Sequence, residues 1–82
     1  MIKANVYVTV KENVLDPQGK AVQGALHTLG FAEVNQVRIG KYMEVSLDTT
    51  DAGQAEQRIR QMCEKLLANT VIEDYRFELK GE

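Results

Sequence analysis

Between Ile2 and Val10 apolar and polar positions alternate without a break. Ile2, Ala4, Val6, Val8 and Val10 fall on one side, and Lys3, Asn5, Tyr7 and Thr9 on the other. A period of two predicts a strand with one buried face. The period then changes. Asp16 followed by Pro17 is a helix start, because the aspartate accepts free backbone N–H groups and proline fits the first helical position. Ala21, Val22, Ala25, Leu26 and Leu29 continue as an apolar stripe at helical spacing, and Gly30 offers a left-handed stop. A first helix is predicted from Pro17 to about Leu29.

The stretch from Phe31 to Asp48 is read as two extended segments around a basic bend, Arg38-Ile39-Gly40-Lys41, with Gly40 supplying unusual backbone freedom. In the second segment Met43, Val45 and Leu47 alternate with Glu44, Ser46 and Asp48. Thr49, Thr50 and Asp51 offer caps for a second helix with the apolar stripe Ala55, Ile59, Met62, Cys63, Leu66 and Leu67, and Asn69 is its expected C-terminal cap. A last strand is expected from about Val71 to Leu79. The order implies an α+β fold: a two-layer, ferredoxin-like βαββαβ sandwich, its antiparallel sheet carrying two helices on one face. The other face is expected to hold Lys3, Asn5, Tyr7, Thr9, Arg38, Tyr42, Glu44, Ser46, Arg76 and Glu78, a polar and tyrosine-bearing surface suited to another protein.

Eighty-two residues form one domain, 1–82, with a modest core, and 44% hydrophobic against 27% charged residues is a folded composition. A net charge of −2 gives no general attraction to nucleic acid or anionic membrane. The single Cys63 excludes an internal disulfide and fits a reducing cytosol. The first residues lack the apolar core of a signal peptide, and no run reaches the length of a membrane span. A cytoplasmic protein with no nucleic-acid or membrane partner is expected.

Candidate chemistry is thin. Cys63 lies on the apolar stripe of the second helix with no activating base beside it, which favours burial over nucleophilic work. His27 reads as a helix-end histidine with a favourable dipole rather than a base. Glu73 and Asp74 are adjacent in a strand and point to opposite faces, so they do not converge on a metal. Gly19-Lys20 lacks the spaced glycines and the following Ser/Thr of a phosphate loop. Tyr7 and Tyr42 invite an RNA-binding reading, but the glycine-aromatic signature is absent and Glu44 and Glu78 would repel a backbone. Two stretches are left as candidates for partner or self association: Asp16, Pro17, Gln18, Gly19 and Lys20 at the helix start, and Arg38, Gly40, Lys41 and Tyr42 at the bend.

Those stretches, Leu15-Asp16-Pro17-Gln18-Gly19 and Val37-Arg38-Ile39-Gly40-Lys41, together with Asn69-Thr70-Val71-Ile72-Glu73-Asp74-Tyr75, closely resemble the PurS family over nearly the whole chain. The departures lie mainly between Asp48 and Gln61. PurS proteins are small subunits of phosphoribosylformylglycinamidine synthase. The resemblance implies a non-catalytic subunit in de novo purine synthesis that bridges a glutaminase subunit and an ATP-dependent synthetase subunit, with assistance to ammonia transfer as a further implication. It implies no cofactor bound by this chain alone, ATP and magnesium being used by the complex, and a homodimer or tetramer. A small-molecule-sensing regulatory α+β domain is the alternative, and an independent enzyme using Cys63 the weakest case.

Overall fold

The computed structural model describes residues 1–81. Strand β1 (Ile2–Val10) lies between β2 (Gly40–Leu47) and β3 (Glu73–Gly81), antiparallel to both. The alternation read in β1 fixes which face is buried. Ala4, Val6 and Val8 are wholly inaccessible and sit opposite Val45, Met43 and Lys41 on one side and Leu79, Phe77 and Tyr75 on the other. Helix α2 (Ala52–Met62) closes this face with Ile59, and Cys63 follows directly; the half-buried Met43, Val45, Leu47, Met62, Leu67, Tyr75, Phe77 and Leu79 surround that core.

Both helix starts are built as their sequences predict. Asp51 accepts from the Gln54 amide at 3.2 Å. Asp16 accepts from the Gly19 amide at 3.0 Å, with Pro17 opening α1 (Pro17–Thr28). Gly30, at φ 102°, ends α1, its amide donating to the His27 carbonyl while that of Phe31 reaches Leu26. This is the reciprocal C-terminal closure that favours glycine.

The α+β class and the antiparallel sheet with both helices on one side agree with expectation, but several details differ. The first of the two extended segments does not join the sheet: residues 34–39 form no strand, and three strands complete the sheet. Backbone groups of the segment are bonded by side chains instead of by a neighbouring strand. Gln23 Nε2 donates to the Asn35 carbonyl at 2.9 Å, and His27 Nε2 to that of Val34 at 2.7 Å. Gly40 is accordingly no hairpin bend. It is the first residue of β2, and glycine is needed there because a Cβ would stand 2.1 Å from the Val8 carbonyl oxygen.

The end of the second helix also differs. Cys63–Leu67 winds as a π turn, closed by the Ala68 amide on the Cys63 carbonyl at 3.0 Å. The wider turn rotates Leu66 off the expected stripe and leaves it 83% exposed. Asn69 is not a left-handed cap, since no residue other than glycine has positive φ among those described. It organises the next turn, its carbonyl accepting from the Ile72 and Glu73 amides and its side chain from Val71. The last strand therefore begins at Glu73 rather than Val71.

A further difference is one of shape. Helix α1 makes no substantial contact with any strand, whereas α2 packs on β1 and β3. A nine-residue strand spans about 30 Å, yet the molecule is 49 Å long. Its radius of gyration is 16.1 Å, against about 12 Å for a compact chain of this length. Helix α1 and residues 31–39 form an arm beyond the end of the sheet.

Candidate association site

The arm is fastened by two of the residues singled out in the sequence. Asp16 is a hub: one carboxylate oxygen caps Gly19 and the other accepts from the Ile39 amide at 2.9 Å. Arg38 ties the arm to the end of β1, with Nε 3.0 Å and Nη2 2.6 Å from the Val10 carbonyl, Nη2 3.1 Å from Thr9 Oγ1, and Glu12 at 3.6 Å. Gly19 is buried between them, its α-carbon turned to the Val37 carbonyl.

The Ile39 and Gly19 amides hold the Asp16 carboxyl below its ordinary value. A carboxylate favoured by folding contributes stability that is complete above its unfolded pKa and is lost as pH falls through the lowered folded value. In an NMR pH titration the Ile39 and Gly19 amide resonances should move together, with a midpoint below 3.8, the unperturbed aspartate value. A midpoint at or above it would show that the hub does not hold in solution.

The remaining candidates do not share one surface. Pro17, Gln18 and Lys20 are exposed on the first turn of α1. Lys41 and Tyr42 point to opposite faces of β2, Lys41 opposite Val8 and Tyr42 opposite Tyr7. The far face of the sheet carries the residues expected there except Arg38, which lies at the sheet's end. On it the Tyr7 and Tyr42 ring centres are 5.2 Å apart, and the Arg76 guanidinium stands 4.0 Å over Tyr7. Lys3 pairs with Glu44 at 2.8 Å and holds its carboxyl low, while burial and then Glu44 push the Tyr42 phenol up. Asn5 is buried in this face with no partner for its Oδ1.

Cys63 is fully buried, and burial, then Glu64, raises its thiol pKa. That is the opposite of what an attacking thiolate needs. His27 is exposed, its Nε2 engaged by the Val34 carbonyl. Among the described residues no three His, Cys, Asp or Glu side chains gather as a metal site, and no helix is long and apolar enough to cross a membrane. Sequence reasoning missed Gln23 and His27 as struts of the arm. It also missed the outward direction of Leu15, Val22 and Leu29, all exposed. One signal was available: residues 21–32 contain no Asp, Glu, Lys or Arg, unusual for a helix that faces water on most sides.

Fold and site together define a small α+β protein whose best-placed polar side chains serve its own architecture. The family model for PurS, phosphoribosylformylglycinamidine (FGAM) synthase, matches residues 3–81. The PurS subunit of Bacillus subtilis phosphoribosylformylglycinamidine synthase is 58% identical over 80 residues, covering 98% of this chain and 94% of that protein. A crystal structure of B. subtilis PurS superposes with a TM-score of 0.87 at 57% identity, over 98% of this chain and 99% of the other. A chain of the Thermotoga maritima PurLQS structure gives 0.84 at 25% identity, over 98% and 99%. The chain belongs to the PurS family, the non-catalytic small subunits of phosphoribosylformylglycinamidine synthase in purine biosynthesis.

Proposed function

We propose that this chain joins the glutaminase and synthetase subunits of phosphoribosylformylglycinamidine synthase and assists transfer of ammonia between them. The observation that carries this reading is its near full-length likeness to a chain of T. maritima PurLQS. Asp16, Gly19, Arg38 and Gly40 then shape the arm and the start of β2, while Pro17, Gln18, Lys20, Lys41 and Tyr42 are free to meet partners. ATP and magnesium are used by the synthetase subunit, the chain binds no cofactor alone, and it works in the cytoplasm as a homodimer or tetramer, one domain per chain.

Amidine formation by purified synthetase and glutaminase subunits tests this. With glutamine as donor the rate should fall to background when this chain is left out, and with ammonium it should survive the omission. Equal rates with and without the chain on both donors would refute the role. The ligand-sensing alternative draws on a cleft of about 390 Å³ between the arm and the end of β1, lined by Lys11, Leu15, Lys20 and Gln36 among others. Saturable heat release on titrating the isolated chain with nucleotides or amino acids would favour it.

A further inference from the structure

The sheet face turned away from α2 holds a polar atom with nothing to bond. Asn5 lies at the middle of that face, on the central strand, and is only 7% exposed. Its Oδ1 is buried without a hydrogen-bond partner. An acceptor in that state costs folding free energy that an apolar side chain at the same place would not. The free chain carries that cost.

The surroundings say what would satisfy it. Asn5 stands directly opposite Glu44 on one neighbouring strand and Glu78 on the other, so three acceptors form one row across the sheet. The cations beside the row are engaged: Lys3 lies 2.8 Å from Glu44, while Arg76 pairs with Glu78 at 3.1 Å and stacks on Tyr7. No donor among the described residues reaches Asn5 Oδ1. A donor from another molecule can. Adjacent strands are about 4.8 Å apart, a span that the planar fork of a guanidinium bridges, with one N–H on the amide oxygen and another on the carboxylate beside it. The half-exposed pair of Lys3 with Glu44 is of the weak surface kind and yields to an incoming cation at small cost.

We propose that this face docks on another subunit of the synthase, which brings an arginine side chain onto Asn5 Oδ1 between Glu44 and Glu78. Tyr42, 54% exposed beside the row, supplies the aromatic contact that anchors such interfaces. Asn5 lowers the stability of the free chain and is matched only in the complex, which favours the right partner over others. The inference rests on the bridging role and adds the face and the group by which a partner is held.

Asn5→Val removes the acceptor, and its effects on the free chain and on assembly should be opposite. At matched concentration the free variant should melt roughly 5 °C above the parent, because the unbonded oxygen is gone. When glutamine-dependent amidine formation by the purified synthetase and glutaminase subunits is titrated with it, the half-saturating concentration should rise about tenfold or more, with the same plateau rate. Asn5→Asp keeps an oxygen in place; where circular dichroism shows it folded, it should half-saturate near the parent's concentration. This inference alone is overturned if Asn5→Val half-saturates where the parent does, if it melts below the parent, or if folded Asn5→Asp assembles as poorly as Asn5→Val. A parent chain that leaves the reaction unstimulated at every concentration overturns the bridging role and this inference with it.

Discussion

Replacing Ile59 by alanine is expected to cost about 3–4 kcal/mol of folding free energy, the upper part of the range for a large-to-small change at a fully buried site. Ile59 has no accessible surface and is the largest side chain that α2 contributes to the core, where it meets Val6, Val8 and Cys63. The cavity cannot be filled cheaply, because the opposite wall is the central strand, held by hydrogen bonds on both edges. A chain of 82 residues has about 4–12 kcal/mol in total, so the variant loses a large share of its stability. With a urea dependence of about 1 kcal/mol/M for a domain this small, the unfolding midpoint should fall by about 3 M at matched chain concentration. Concentration must be matched because any self-association adds to apparent stability. A shift below about 1 M would mean that α2 is not the lid of the core.

The same residue shows what a sequence can reveal. Ile59 and Cys63 were legible as core because they repeat at helical spacing opposite a strand whose alternation is unbroken, and both periods require one buried face. The caps at Asp16, Asp51 and Gly30 were legible because each solves a local hydrogen-bonding problem within a few residues. Leu66 was not, since the π turn that expels it depends on where the helix must end against the sheet. Residues 34–39 look like a strand by composition, but their backbone groups are taken by the side chains of Gln23, His27 and Asp16, partners that the local pattern does not announce. The arm was hardest to foresee. An apolar stripe says that a face is covered and is silent about which element, or which copy of the chain, covers it. At the association site, Asp16 and Arg38 stood out by residue type, yet whether their bonds turn inward or to a partner depends on contacts spanning 23 and 28 positions.

Gly19→Ala and Gly24→Ala, five residues apart in α1, are expected to move stability in opposite directions. Exchange of glycine for alanine inside an exposed helix ordinarily stabilises it by up to about 1 kcal/mol, because less backbone entropy is lost on folding. Nothing lies within 4 Å of a Cβ at Gly24, so that gain should be realised there. At Gly19 the added methyl would stand 2.1 Å from the Val37 carbonyl oxygen and 2.8 Å from Asp16 Oδ2. Neither can step aside. The carbonyl belongs to the backbone beside Arg38, and Asp16 is fixed by its bonds to the Gly19 and Ile39 amides. The first turn of α1 must therefore lift from residues 37–39, at a cost of about 1–3 kcal/mol by analogy with overpacked cores. For a domain of this size that lowers the melting temperature by roughly 10 °C. The lesion should be confined to the arm: Ile39 should lose protection from amide hydrogen exchange in the Gly19 variant while Val6 and Val8 in the central strand keep theirs. Equal stabilisation by the two substitutions would mean that the arm does not rest on the Asp16 hub.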